Sequence, residues 1–365
     1  MFSSDRDYMR EALTLAAKAR PISPPNPSVG CVIVRDGSIL GEGFTQKVGS
    51  DHAEIQAIKD AAANGHDVKG ATVYVTLEPC SHYGRTPPCA LRLIKEQVAR
   101  VVVACLDPNP LVAGRGVEML RQAGITVDVG LLQKEAWQMN AGFMTRMTEN
   151  RPWVRAKVAM SLDGFTALTN GESQWITGPE AREDGRRYRC EAGAILTGVG
   201  TVLADNPSLT ARVDGKLQSR QPLKVLVDSH LRVNPENHFF DEGQTLVVCA
   251  KEDLEKSQRL REKGAEILSL SGENGRVDLQ ALLKELARRE VNEVHVEAGA
   301  TLTGEMVRLG LVDELLCYIA PKILGQGRSA FDLPPLQSLS DCETWTTVQT
   351  SQVGEDVRII LRKRK

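Results

Sequence analysis

Four side chains in the first quarter of the 365-residue chain have the makings of a hydrolytic metal centre. They are His52 and Glu54 in "HAE", and Cys80 and Cys89 at the two ends of "CSHYGRTPPC". One imidazole and two thiolates suit a zinc ion that keeps its fourth position open. A water in that position has its pKa lowered toward neutrality. Glu54 is then placed as a proton shuttle and not as a ligand. It takes the water proton, passes it to a ring nitrogen, and later protonates departing ammonia. A purely structural zinc site would want a fourth Cys or His close by. His82 is the nearby candidate, and that reading leaves Glu54 without a role. The spacing is unusual for a deaminase, whose usual pattern is Pro-Cys-x-x-Cys. Here eight residues, Ser81 to Pro88, separate the two thiols.

Those four residues need elements that bring them together. His52 and Glu54 diverge in a helix interior, so they serve one site only at a helix start. "HAEIQAIKDAAANG" (52–65) reads as such a helix, with Ser50 and Asp51 as candidate caps and Gly65 closing it. Cys80 follows a strand over 71–78. Cys89 falls in the first turn of a helix over 87–99, with Thr86 as cap and Pro87 as first residue. The exposed N–H groups there favour a thiolate. Around this frame lie a helix over 5–20 capped by Ser4 and Asp7, and a hairpin of 29–34 and 38–44 turning at Asp36-Gly37. Further on come strands over 100–106 and 125–131, a helix over 116–124, and one long helix over 132–150. This is an α/β sandwich with a mixed sheet. Pro152 follows a polar stretch, which puts the boundary between two domains at 1–147 and 148–365. Beyond it, strands such as "VRAKVAM", "AILTGV", "LKVLVDS" and "EVHVEAG" alternate with helices, giving a second α/β domain.

The totals limit the partners. Lys+Arg against Asp+Glu is 16 and 16 for residues 1–150, and 29 and 31 for the rest. Neither half is basic, so neither is built to coat a nucleic-acid backbone. No apolar run is long enough to span a bilayer, and the charged N-terminus carries no signal-peptide core. Eight scattered cysteines in a long chain without such a leader point to a reducing cytoplasm.

The second half is less legible. "LTGVGTVLADNP" (196–207) and "VEAGATLTGEMVRLGL" (296–311) each place glycines after a strand, where backbone N–H groups can cradle a phosphate. Neither has the full G-x-G-x-x-G fingerprint. "YIAPK" (318–322) matches the Tyr-x-x-x-Lys pattern of short-chain dehydrogenases, but Pro321 forbids the helix that pattern requires.

Taken together, the segments "PNPSVGCVIV" (25–34), "HAE", "VTLEPCSHYGRTPPC" and "DPNPLVAGRG" (107–116) resemble the bifunctional riboflavin-biosynthesis deaminase/reductase family. So do "KVAMSLDG" (157–164), "GESQWIT" (171–177), "GVGTVLADNPSLTAR" (198–212), "VDS" (227–229), "VEAG" (296–299) and "APKILG" (320–325). The long Cys-to-Cys spacing is a mark of that family. The resemblance covers nearly the whole chain. It implies a cytidine-deaminase-like three-layer α/β/α domain followed by a dihydrofolate-reductase-like α/β domain. It implies Zn²⁺ and NADPH as cofactors, a phosphorylated diamino-pyrimidinone as substrate, and a homodimer or homotetramer.

The same resemblance assigns contacts. In the deaminase half they fall on Asn26, His82, Arg85 and Asn109, beside His52 and Glu54. Many relatives have a His seven residues before the zinc His, where this chain has Thr45. NADP(H) contacts fall on Lys157, Ala159, Trp175, Thr201, Asp205, Ser229, Gly299, Ala300, Thr301, Leu302, Thr303, Gly304 and Glu305. Reductase substrate contacts fall on Ser173, Arg189, Leu209, Arg212 and Glu297. The implied chemistry is hydride transfer to C1 of the ring-opened ribose. Arg189 and Arg212 are expected to clamp the phosphate, since a guanidinium fork matches its oxygens. Glu297 and Asp163 are the candidate proton donors. His82 and Arg85 make the stretch between the cysteines a substrate loop, with Gly84 letting it turn.

Overall fold

The computed structural model describes residues 4–83, 87–109 and 113–364. The chain divides into two compact units, Met1–Asn150 and Arg151–Lys365.

The first unit contains α1 (Asp5–Ala19), β1 (Gly30–Arg35), β2 (Ser38–Phe44), α2 (Ala53–Ala63), β3 (Thr72–Val75) and α3 (Cys89–Lys95). It continues with β4 (Arg100–Val103), α4 (Arg115–Gln122), β5 (Thr126–Val129), α5 (Gln133–Met139) and α6 (Ala141–Glu149). The sheet order is β2-β1-β3-β4-β5. β1 runs antiparallel to β2 and β3, while β3, β4 and β5 are parallel. Asp36 and Gly37 both have positive φ, the conformation a tight two-residue hairpin turn requires.

Helices cover both faces of this sheet. A Cβ at Gly30 would lie 1.8 Å from the Ala12 carbonyl oxygen in α1. Cβ atoms at Gly41 and Gly43 would each lie 2.3 Å from carbonyl oxygens of α2. Gly41 and Gly43 pair with Ile33 and Cys31, whose side chains point opposite to Gly30 in the pleat. The glycines let α1 and α2 rest on the strands almost backbone to backbone. That close seat fixes the N-terminus of α2, where His52 and Glu54 sit.

Two expectations change here. The helix carrying Cys89 starts two residues later than its Pro and Thr signals suggest, with Pro88 at the N-cap position and Cys89 as first helical residue. The single helix over 132–150 is two helices, broken at Asn140. The Asn140 amide is buried and turned toward Ser28, accepting from its N–H at 2.7 Å and donating to its carbonyl at 2.9 Å. That demand from a distant segment overrides the helical periodicity.

In the second unit, β6 (Trp153–Ser161), β7 (Phe165–Leu168), α7 (Pro179–Glu191), β8 (Ala194–Gly198) and α8 (Val199–Asp205) come first. Then follow a short hairpin of β9 (Arg212–Val213) and β10 (Lys216–Leu217), β11 (Leu223–Val227), β12 (Thr245–Cys249), α9 (Leu254–Glu262) and β13 (Glu266–Ser269). The last elements are α10 (Leu279–Arg288), β14 (Glu293–Val296), α11 (Ala300–Arg308), β15 (Glu314–Ala320), β16 (Gly327–Ser329), β17 (Trp345–Val353) and β18 (Asp356–Lys363). Nine strands form one sheet in the order β13-β12-β11-β8-β14-β6-β15-β18-β17. The seven from β13 to β15 are parallel, and β18 and β17 close the edge antiparallel. Leu196, Val225 and Val248 pack on one face with Leu282, Leu286 and Met306 of α10 and α11. The alternate residues Ile195, Leu226 and Val247 pack on the other with Val202 and Leu260 of α8 and α9. Tyr318 lies in β15 and donates to Asp184 at 2.6 Å, so the Tyr-x-x-x-Lys match is a strand, as Pro321 required.

Candidate active sites

His52 occupies the N-cap position of α2, with an extended backbone that turns its imidazole away from the helix axis. Its Nδ1 lies 3.6 Å from Cys80 Sγ and 3.3 Å from Cys89 Sγ. All three donor atoms fall within 4.8 Å of one another. A zinc ion bound at its usual 2.0–2.3 Å to each donor would hold them about 3.5 Å apart. The three residues therefore fit the metal by spacing as well as by donor type. Cys89 N–H donates to Cys80 Sγ at 3.3 Å, and Ala90 N–H to the Cys80 carbonyl at 3.2 Å. The start of α3 thus holds Cys80 in place.

The electrostatics are those of a centre ready to lose protons to a cation. The Cys80 thiol is pulled down to about 4, first by a hydrogen bond from Cys89, then, against burial, by His52 and the Cys89 N–H. Cys89 is raised well above a normal thiol by its thiolate neighbour and by burial. His52 rises to about 9, because Cys80 stabilises its charge more than burial opposes it. A bound cation replaces these shared protons and ionises both thiols. Glu54 is 4% exposed, in the first turn of α2 two residues after His52. Burial lifts its carboxyl up to about 7, with His52 partly opposing. A group poised near neutrality both accepts and returns a proton.

The other expected contacts of this half lie on separate segments of the first unit. Asn26 is half-buried in the turn before β1. His82 is exposed just after Cys80. Asn109 donates its N–H to Asp107 Oδ1 at 2.8 Å. Burial raises the Asp107 carboxyl to about 6; the fields of Glu78 and Cys80 add to this and His82 opposes it. That segment therefore lies alongside the metal ligands. Arg85 and Gly84 lie outside the described residues. Thr45 is buried with its hydroxyl against the Val29 backbone, accepting from the N–H at 3.1 Å.

In the second unit a cavity of about 1710 Å³ opens at the carboxyl ends of parallel strands β8, β11 and β14. Crevices outside those ends are where open α/β sheets bind nucleotides. Lys157, Ala159, Trp175, Thr201, Asp205, Ser229, Gly299, Ala300, Thr301, Leu302 and Glu305 all line it. So do Ser173, Arg189, Leu209, Arg212 and Glu297. Thr303 and Gly304 do not. Thr303 is buried and donates to the Ala298 carbonyl at 3.3 Å, and a Cβ at Gly304 would lie 2.5 Å from the Asp332 carbonyl oxygen. Both face inward from α11.

The geometry bears on three expected roles. Arg189 grips Glu297 through both Nε and Nη2, the second at 2.9 Å, and donates Nη1 to the Thr210 carbonyl at 3.2 Å. The edge that would fork a phosphate is already occupied by a carboxylate. Glu297 is held in an ion pair. Burial alone would raise its carboxyl, but Arg189, with His295 behind it, holds it well below the usual range. Asp163 does not line the cavity. Its carboxylate accepts from the Ser161 hydroxyl at 2.6 Å and the Gly325 N–H at 2.8 Å, bracing a turn. Lys157 also faces Glu297; burial pushes it below a normal lysine while Glu297 pulls it back up. Sequence reading had marked Lys157 for the cofactor. Its juxtaposition with Glu297, 140 positions away, has no sequence signal.

Comparison with known proteins agrees with both halves. The model of the cytidine and deoxycytidylate deaminase zinc-binding region matches residues 2–105, and that of the RibD C-terminal domain matches residues 152–359. The chain is 46% identical to the riboflavin biosynthesis protein RibD of Escherichia coli (strain K12), covering 97% of this chain and 98% of the relative. It is 42% identical to that of Aquifex aeolicus, covering 98% of each. The solved structure of Acinetobacter baumannii RibD is similar, with a TM-score of 0.90 at 39% identity over 99% of both chains. That of a Thermotoga maritima diaminohydroxyphosphoribosylaminopyrimidine deaminase/5-amino-6-(5-phosphoribosylamino)uracil reductase has a TM-score of 0.88 at 33% identity over 98% of both. With a deaminase-like sheet carrying a zinc-type donor set at one end of the sequence and a reductase cavity at the other, the chain belongs to the RibD family of bifunctional riboflavin-biosynthesis enzymes, which pair a zinc-dependent deaminase with an NADPH-dependent reductase.

Proposed function

We propose that the two sites act in turn on one small molecule, with residues 1–147 as the deaminase and 148–365 as the reductase. The first removes the C2 amino group of 2,5-diamino-6-ribosylamino-4(3H)-pyrimidinone 5′-phosphate. The second reduces the ribosyl group of the product to ribityl, giving 5-amino-6-(5-phosphoribitylamino)uracil. The observation that carries the reading is the buried Glu54 set against His52, Cys80 and Cys89, whose donor atoms are spaced for zinc.

His52, Cys80 and Cys89 would hold a zinc ion, which would supply an activated water at neutral pH. Glu54 accepts that water's proton, delivers it to the pyrimidine nitrogen, and protonates ammonia as the C–N bond breaks. Asn26, His82, Arg85 and Asn109 orient the substrate around it. The residues lining the second cavity would hold NADPH, which would supply the hydride for C1 of the sugar. Opening the furanose leaves its ring oxygen needing one proton, and Lys157 is the donor in reach of the cavity. Glu297, kept ionised, accepts sugar hydroxyls. Arg212 is part-exposed with longer contacts, 3.1 Å to Thr210 and 3.2 Å to Glu242, and turns to the phosphate. The enzyme works in the cytoplasm as a homodimer or homotetramer. Eight free cysteines support the compartment. Ile323, Leu336 and Leu339, each more than half exposed, are apolar surface a second copy would cover. No described helix is long and apolar enough to cross a membrane.

The test is Glu54→Gln in the full-length protein. Zinc content stays at the wild-type level, deamination falls by roughly 10²–10⁴-fold, and reduction of the deaminated pyrimidine persists. Retained deamination would sink the assignment.

A further inference from the structure

Glu78 stands two residues before Cys80 and is 4% exposed, yet it is not one of the three clustered metal-type donors. Its carboxylate collects four backbone donors. Oε2 accepts from Asp107 N–H at 3.2 Å and Gly114 N–H at 2.9 Å. Oε1 accepts from Gly116 N–H at 2.9 Å and Val117 N–H at 3.1 Å. All four amides belong to one segment, the connection from β4 into the first turn of α4. The carboxylate thus sits where the helix dipole and unpaired N–H groups favour an anion. At the same spot a Cβ on Gly116 would lie 2.0 Å from the Pro79 carbonyl oxygen. The start of α4 is therefore seated directly on the backbone between Glu78 and Cys80, and Asp107, held by the same carboxylate, accepts from Asn109 N–H at 2.8 Å.

We propose that Glu78 is a positioning residue of the deaminase: it fixes Asp107, and with it Asn109, together with the start of α4 relative to the metal ligand Cys80. This rests on the assignment of Asn109 to the pyrimidine phosphate. A carboxylate is the one side chain of this size that accepts at both ends. In Glu78→Gln one oxygen still accepts from two amides, but the new NH₂ faces the other two N–H groups. The metal frame, held by α2 and α3, is left in place. The substrate side of the pocket is released.

The experiment uses full-length, zinc-loaded enzyme and the diamino-pyrimidinone phosphate. Glu78→Gln is expected to raise the deamination KM at least tenfold, with kcat falling by less, one zinc per chain retained, and the reductase step unchanged. In an Asn109→Ala background the same substitution adds little, because both changes remove one contact. An unchanged KM, losses that multiply independently, or loss of zinc in parallel with activity would overturn the proposal. If the Gln variant does not fold, Glu78→Asp keeps the charge but withdraws it by one methylene. Its Gly114, Gly116 and Val117 amides are expected to exchange faster with solvent while that of Ala90 stays protected. Equal exchange at all four sites overturns the proposal too. A wild-type enzyme inactive on this pyrimidine would instead overturn the proposed reaction, which keeps the two failures apart.

Discussion

The guanidinium of Arg189 binds a carboxylate where a substrate phosphate was expected, and the pair is nearly enclosed: 16% and 14% of the two side chains remain exposed. Removing one member of a buried ion pair leaves a bare charge, at a cost of about 3–5 kcal/mol. Arg189→Met should therefore unfold at a lower denaturant concentration at pH 7 and lose reductase turnover, while deamination survives. The sign with pH follows from Glu297. Its folded carboxyl lies well below its ordinary value of 4.5, so its stabilising contribution is complete above that value. The contribution disappears as pH falls through the folded value. The stability gap between wild type and Arg189→Met should narrow on acidification below about pH 4.5, as denaturation midpoints at pH 7 and at pH 3–4 would report. A gap that stays constant would mean Arg189 acts through packing and not through charge. This pair was invisible in the sequence because its partners are 108 positions apart and each is chemically unremarkable there. His52, Glu54, Cys80 and Cys89 were legible for the opposite reason. Their types and order already imply one chemistry, whatever the fold.

Secondary elements were legible where local pattern and tertiary demand agree. α1, the first hairpin and the parallel strands of the second unit combine clear periodicity with caps and turn residues that match it. Where a distant segment makes the demand, pattern misleads. The break between α5 and α6 is set by Ser28, 112 residues upstream of Asn140. Asn140→Ala would leave a buried N–H and a buried carbonyl without partners, destabilising the first unit by roughly 1–3 kcal/mol. Chemical unfolding of the zinc-loaded protein should show that loss; an unchanged midpoint would mean water replaces the amide. β17 went unread for a third reason. Most of its residues are exposed, so "TTVQTSQ" carries no alternation of apolar and polar positions to mark a strand.

At the scale of the whole molecule, each activity belongs to its own sheet and its own core. Removing zinc with a chelator should abolish deamination and lower the thermal midpoint of the first unit, since metal-binding energy is folding energy. Reduction of the deaminated pyrimidine with NADPH should continue at its original rate. A parallel loss of both activities would mean that the reductase depends on the metal. The division of strands has a further consequence. Every strand of the five-stranded sheet lies before residue 130, and every strand of the nine-stranded sheet lies after residue 152. During synthesis the first unit therefore has all its hydrogen-bonding partners once α6 clears the ribosome. It can close around its metal while the reductase is still unmade. The reductase has no such head start, because its interior strand β6 is its first and waits for β14 and β15, more than 130 residues later, to pair on either side. The slow step in the birth of this enzyme should thus belong to the second unit.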